Sequence, residues 1–407
     1  MKPLFALLLL LPAYAEDWPQ WRGIYRDNKA SAQVVPITEW SAEKNVRWKT
    51  AIPGRGHSTP IVVGNEVFLT TCDLEEERQS LIAFDRKSGK ILWNKTIHQG
   101  ELPTKVHGEN SRASATAQWT GKHLLTTFEN GGNINVSAVS RTGEIIWSKS
   151  VGSYKPHFEF GYGSTPTLHK GLFIVSIGTI KKGLLIAIDA DNGEEKWRTP
   201  REGHDNWSSP VVAKVAGKEQ LFISGIGKIQ SFDPLSGKLN WDAPLKPLST
   251  CGTIVWTDDA VFASGGFPKN ETAGVKADGS GEVLWSNSER CYEQSLLAHD
   301  GYIYAVTDKG VGFCWRAEDG KEMWKERLGR GGVMASPTFA KNLIFSTIKT
   351  GVTVVYKASP EGFQKIAENK LGDDTYASPV IVEDEIFIRA GFVNEGDRQE
   401  FLYKLGK

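Results

Sequence analysis

The sequence predicts an all-β chain folded as an eight-bladed β-propeller of four-stranded antiparallel blades, with its ring closed by an N-terminal strand. Three observations predict it. A Gly-x-x-x-Trp signature occurs at Gly89–Trp93, Gly143–Trp147, Gly193–Trp197, Gly237–Trp241, Gly281–Trp285 and Gly320–Trp324. Counted from Trp48, these tryptophans have a mean spacing of 46 residues, a period near that of propeller blades. The 407 residues also include 42 Gly and 14 Trp, a bias towards short strands and tight turns rather than helices. An open β array and a ring of seven blades are the other arrangements such a period allows.

Taken in order, the chain opens with Met1-Lys2-Pro3, an apolar run to Leu11, and Ala13-Tyr14-Ala15. A basic start, an apolar stretch too short to span a bilayer and a small-x-small site predict a signal peptide over residues 1–15, cleaved near Ala15. The mature protein is then periplasmic or secreted. No Cys follows the cleavage site, so a lipid anchor on Cys is not indicated, and no later stretch approaches a transmembrane span. Residues 16–45 form an N-terminal extension and residues 46–407 the propeller.

Each blade opens with a small residue and an apolar inner strand, as in Ser58-Thr59-Pro60-Ile61-Val62-Val63, Ser164-Thr165-Pro166, Ser208-Ser209-Pro210, Ser336-Pro337 and Ser378-Pro379. Second and third β-rich runs follow, such as Val67-Phe68-Leu69-Thr70 and Leu81-Ile82-Ala83-Phe84-Asp85. In the turn Asp85-Arg86-Lys87-Ser88-Gly89 the Asp can bond its own following backbone, and the Gly supplies a positive φ. The fourth strand ends in the repeated Trp, expected to be buried against the neighbouring blade. Ile366 stands degenerately where the seventh blade's Trp would be. The last unit starts at Ser378 and ends after Phe401-Leu402-Tyr403 without a fourth strand. Val46-Arg47-Trp48-Lys49-Thr50 supplies it, and such closure hides sheet edges.

Lys+Arg and Asp+Glu are both 48, for a net charge of zero. That excludes a nucleic-acid binder working through bulk charge, and a polybasic membrane surface. Cys72, Cys251, Cys291 and Cys314 include no C-x-x-C, so neither a redox motif nor a haem attachment site is present. Cys251 and Cys291 are the one pair whose repeat positions bring them near each other.

The pattern from Ser58 to Trp93 resembles the pyrroloquinoline-quinone-like (PQQ-like) β-propeller repeat, over nearly the whole mature chain. Trp18-Pro19-Gln20-Trp21-Arg22-Gly23 is similar to the opening of a bacterial group of exported propellers. The resemblance implies the fold more than the chemistry, because such blades serve both quinoprotein dehydrogenases and non-enzymatic scaffolds. The scaffold branch includes the propeller lipoprotein of the outer-membrane β-barrel assembly machinery. The dehydrogenases carry a vicinal cysteine pair on the cofactor and a calcium site; here no two cysteines are neighbours.

Function is sought in the loops that open on the channel. His57, Arg112, Tyr162, Trp207, Gln294, Met334 and Tyr376 fall just before the inner strands of their blades. Equivalent positions in a closed ring point to equivalent places, so these residues are expected to line one channel mouth and bind a ligand or partner. They mix rigid aromatics with a guanidinium, an amide and a thioether, a chemistry suited to recognition. No catalytic residue and no metal set is expected: Ser58, Ser164 and Ser208 are repeat positions without a G-x-S-x-G elbow. The sequence thus reads as an exported, monomeric, non-catalytic scaffold for a protein or peptide, with envelope or outer-membrane assembly implied by the resemblance. The alternative is a PQQ-dependent or related oxidoreductase, against which the missing vicinal cysteines stand.

Overall fold

The computed structural model describes residues 17–407; the expected signal peptide lies outside the described residues. Among the described residues the strands form eight four-stranded antiparallel sheets. Blade 1 consists of Ile61–Val63, Glu66–Asp73, Arg78–Asp85 and Ile91–Gln99. Blades 2 to 7 follow over 118–153, 167–201, 211–244, 255–287, 297–327 and 338–370. Blade 8 takes Val380–Val382, Glu385–Asn394 and Asp397–Leu405 from the C-terminal end, and Val46–Ile52 as its outer strand. The closing register runs from Val46 opposite Leu405 to Ile52 opposite Glu400, with one irregularity between Val46 and Trp48.

The burial pattern explains the sequence pattern. The middle strands of a blade are covered on both faces, and Phe68, Leu69, Leu81 and Ile82 have no exposed surface. The outer strand alternates, as along Glu195–Arg201. Apolar side chains of adjacent blades interdigitate around the ring, one cluster joining blades 2 and 3, another blades 4 and 5, another blades 8 and 1. Each blade thus leans only on its neighbours, as in other repeat folds.

The Gly-x-x-x-Trp signature acts between blades. Gly89 has φ +73°, and its amide donates the closing turn bond to Asp85 O. It also lies against the indole of Trp48 on the preceding blade: a Cβ there would sit 2.5 Å from Trp48 Cδ2. The same approach, at 2.6–3.0 Å, recurs for Gly143 on Trp93, Gly193 on Trp147 and Gly320 on Trp285. The indole N–H then donates to a carbonyl of the next blade's turn, Trp48 to Arg86 O at 3.0 Å and Trp285 to Ala317 O at 2.7 Å. The indoles therefore span from one blade's outer strand to the next blade's turn, some of them inside the apolar clusters between blades. Trp48, Trp241, Trp285 and Trp324 are buried, but Trp93, Trp147 and Trp197 are only half-buried, a correction to the expectation of uniform burial.

This geometry separates two roles of glycine. Gly171 has φ +79° and open space where its Cβ would be. Gly171→Ala is expected to cost about 1 kcal/mol from backbone strain alone. Gly89→Ala adds a clash with an immovable indole and should cost at least about twice that. Urea unfolding of the two variants measures the difference, and equal losses would mean that the indole contact contributes nothing.

The N-terminal extension has a role that its composition does not reveal. Trp18 exchanges backbone bonds with Val62 of blade 1, and Pro19 O accepts from the Trp119 amide of blade 2. Trp21 Nε1 donates to Thr253 Oγ1 beside blade 5 at 3.0 Å, and Arg22 Nη2 to Leu296 O beside blade 6 at 3.3 Å. Arg26 donates to Leu168 O of blade 3, and Asn28 Nδ2 to Pro337 O beside blade 7 at 2.6 Å. Residues 18–28 thus cross the inner end of the ring as a plug tied to six blades. Left-handed backbone at Arg22, Gly23, Arg26 and Asn28 folds it tightly. Arg22 is fully buried, and that burial brings its pKa down to about 10. Beyond the plug, Val34, Ile37 and Trp40 complete the apolar cluster between blades 7 and 8.

All four cysteines are free thiols, so the proximity expected of Cys251 and Cys291 yields no bridge. No helix among the described residues is long and apolar enough to cross a membrane.

Candidate functional site

The plug turns the central channel into a blind pit of about 370 Å³, with Trp21 at its floor. Two rings of side chains build the wall, both set by strand parity. Side chains alternate faces along an extended segment. One residue per blade, just before the inner strand, therefore faces the lumen, as does the residue two positions earlier.

The lower ring is a belt of hydroxyls with one Ser or Thr from every blade. The amides of Thr59, Thr116 and Thr165 donate at 2.9–3.1 Å to the hydroxyls of Thr116, Thr165 and Ser209 respectively. A second arc repeats this from Thr253 through Ser295 and Ser336 to Ser378 at 2.9–3.0 Å. Thr253 Oγ1 instead receives the Trp21 indole N–H, and Thr59 Oγ1 has no partner among the described residues. In six of the eight blades the belt hydroxyl is thus a blade-to-blade clasp. The side chains one position earlier turn away from the lumen: Ser58 Oγ donates to Thr70 O of its own blade, and Ser164 Oγ to Ser208 O at the start of the next. They are structural.

The upper ring holds His57, Ser114, Gly163, Trp207, Cys251, Glu293, Met334 and Tyr376, each two residues before its belt hydroxyl. Four of the seven residues singled out in the sequence, His57, Trp207, Met334 and Tyr376, therefore meet at the pit. The other three do not reach it, and the reason is register. Gln294 is one residue off the lumen parity; it is buried and donates to Val306 O at 2.6 Å. Tyr162 lies one position before Gly163, buried, with its hydroxyl on Ser176 O. Arg112 sits in a left-handed turn at φ +59° and donates from Nε to Pro103 O. Ser114, Gly163 and Glu293 occupy the places expected of these three; aligning every blade on its belt hydroxyl would have found them.

Above the rings, loops add groups the repeat does not encode. His57 stacks on Tyr376 with centroids 4.1 Å apart and planes 9° from parallel. Arg55 lies 5.4 Å and Lys349 5.6 Å from the Tyr376 centroid, and Lys349 pairs with Glu109. Burial, then the charge of Arg55 and its cationic neighbours, holds His57 well below the usual imidazole range, so it stays neutral. Burial, then Glu293 and Asp308, raises the Cys251 thiol well above its usual value, so it is no thiolate nucleophile. Across the mouth, Phe158 stacks on Phe160, which tilts against Trp207, while Phe158 meets Phe267 edge-on at 5.7 Å. Phe160 and Phe267 keep 41% and 43% of their surface exposed and form an aromatic lip over one side of the pit.

The fold family implies a quinone held beside a divalent metal. Among the described residues, no three His, Cys, Asp or Glu side chains converge as a metal set, and the cysteines are dispersed single thiols. The residues present do not fit that pair. They form an aromatic and hydroxyl-lined recess that also carries the carboxyls of Glu109 and Glu293, with Arg55 and Lys349 near its rim.

The family model described as outer membrane protein assembly factor BamB matches residues 32–160, 158–266 and 269–362. Among curated proteins, a quinoprotein ethanol dehydrogenase of Pseudomonas aeruginosa is 24% identical over 361 residues, covering 74% of this chain and 53% of that protein. A polyvinylalcohol dehydrogenase of Sphingopyxis sp. is 22% identical, covering 80% of this chain and 54% of that protein. An alcohol dehydrogenase (quinone) subunit of Komagataeibacter europaeus matches 38% of this chain and 21% of that protein at 26% identity. The chain thus spans between about a fifth and about half of the length of these relatives. Among solved structures, a quinohemoprotein alcohol dehydrogenase from Comamonas testosteroni superposes with TM-score 0.71 at 13% identity, over 97% of this chain and 81% of that one. BamB from Moraxella catarrhalis gives 0.62 at 12%, over 88% and 99%. At such identities the superpositions show the shared fold.

Proposed function

The chain belongs to the outer membrane protein assembly factor BamB family of propellers, and from that premise we propose that it is an exported, monomeric, non-catalytic scaffold that receives a peptide segment of a protein partner in its pit. One observation carries the reading: the channel is closed by the chain's own plug and fringed by aromatic side chains, so it forms a recess rather than a pore. Rigid aromatics bury area at low entropic cost, and an enclosed apolar recess with a few fixed polar groups is how proteins commonly hold a ligand. The family description makes a role in envelope protein assembly the natural setting, with export through the N-terminal signal. The curated relatives favour a second reading, a quinone-dependent oxidoreductase.

Short random-sequence synthetic peptides with free ends, selected on the immobilised full chain and identified by mass spectrometry, test the first reading. Selected peptides should bind in solution and should lose at least about tenfold in affinity to Tyr376→Ala, which removes the ring that stacks on His57. The second reading is tested on the same preparation, reconstituted with pyrroloquinoline quinone and Ca²⁺ and followed by its absorption spectrum. Stoichiometric quinone with no selected peptide would overturn the scaffold.

A further inference from the structure

Seven of the eight belt hydroxyls have spent one acceptor lone pair, and the protons of all eight are unclaimed. Every belt hydroxyl but Thr59 accepts an N–H, from a neighbouring blade or from Trp21. None donates to an acceptor among the described residues. All eight are at least nine-tenths buried, with exposures of 2–5%, yet all eight line the pit. A hydroxyl carries one donor proton, and a buried donor without an acceptor is costly. The pit floor is therefore a ring of hydroxyls whose protons no group among the described residues accepts. The rim charges suit an acceptor that is also an anion: Arg55 and Lys349 flank Tyr376 above the belt, Lys349 shared with Glu109, while burial raises the carboxyl of Glu293, which also lines the pit, to about 7.

We propose that the floor of the pit is a carboxylate site, and that a peptide enters it C-terminus first, its terminal carboxylate taking belt O–H bonds above Trp21. This rests on the peptide reading given above and adds which end of the chain is recognised. An ionised carboxylate only accepts hydrogen bonds, with about four acceptor sites, so a few belt hydroxyls satisfy it and the rest turn to water. An N-terminal ammonium brings only donors, so it could use the lone pair each hydroxyl still holds but would leave every belt proton unclaimed. The carboxylates of a quinone cofactor share this chemistry and are the other source of such an anion.

Thr59 gives the clean variant. Its Oγ1 holds no backbone bond, so Thr59→Val removes one belt proton at constant shape without opening a blade-to-blade clasp. A selected peptide is titrated by calorimetry as its free acid and as its C-terminal amide, against wild type and Thr59→Val. The acid should bind about tenfold tighter than the amide to wild type, and Thr59→Val should narrow that gap by about threefold. Equal affinity of acid and amide, with Tyr376→Ala still abolishing both, would overturn the carboxylate site and leave the peptide reading standing. If no peptide is selected, sodium acetate is titrated alone against a sodium chloride control. Saturable acetate binding weakened by Thr59→Val supports the site, and none sinks it. Quinone binding without metal that Thr59→Val weakens supports the carboxylate chemistry and overturns the peptide as its source.

Discussion

Glu400→Ala is expected to lower the unfolding free energy by about 3–5 kcal/mol. Glu400 is 1% exposed on the strand that pairs with Val46–Ile52. One carboxylate oxygen accepts from Arg389 Nε at 2.7 Å and from the Gly56 amide at 3.1 Å; the other accepts from Arg398 Nη1 at 2.7 Å. Arg389 continues to Thr70 O at 2.8 Å, and Arg398 pairs with Asp374 at 2.6 Å. The network ties blade 8 to blade 1 where the ring closes. Burial, then the charges of Arg398 and Arg55, pull the Arg389 pKa down, and Glu400 is the carboxylate that opposes this. Without Glu400, Arg389 is a buried cation with no counter-charge, which costs far more than the intact pair contributes. Glu400→Gln keeps hydrogen-bond acceptance and should lose less than the alanine variant. Replacing Arg389 and Glu400 together by Met and Leu should restore most of the loss. Urea unfolding of the three variants decides it; an alanine variant within about 1 kcal/mol of wild type would show that the network does not hold the closure.

The ring, the blade count and the closing strand were legible because each follows from a periodic local signal. Gly-x-x-x-Trp fixes the turns and the outer strands, and the spare Trp48 strand matches the blade that lacks one. The site was half legible, for a reason of parity. Counting back from an approximate strand start reaches the lumen at Trp207, Met334 and Tyr376 and misses it by a residue at Gln294 and Tyr162, because neighbouring side chains face opposite ways. The belt hydroxyls give the correct origin, but their role is visible only once Thr116 Oγ1 is seen receiving the Thr59 amide from another blade. The plug and the aromatic lip left no periodic trace. Trp21 meets Thr253, 232 residues away, and Phe158 meets Phe267 across intervening blades. Such contacts depend on where the closed ring brings its loops.

Two truncations separate the closing strand from the plug. Removing residues 17–52 takes away both, and with them the partner of Asp397–Leu405. It exposes one sheet edge and strips Trp48 and Ile52 from the cluster between blades 8 and 1. Each large apolar side chain lost there forfeits about 1.5–3 kcal/mol, and an unpaired edge strand recruits other chains. This variant is expected to elute as aggregate in size-exclusion chromatography with light scattering. Removing residues 17–30 alone keeps Val46–Ile52 and its register. The ring then stays closed and monomeric, but Arg22 and Trp21 no longer bridge its inner end. Its urea midpoint should fall below that of the full chain, because bonds from the plug to six blades are lost together. It should also lose peptide capture, since the recess becomes a through-channel without its floor. A monomeric 17–52 deletion with an unchanged midpoint would refute closure by the N-terminal strand. If the shorter deletion aggregates as badly as the longer, the plug rather than the strand holds the ring shut.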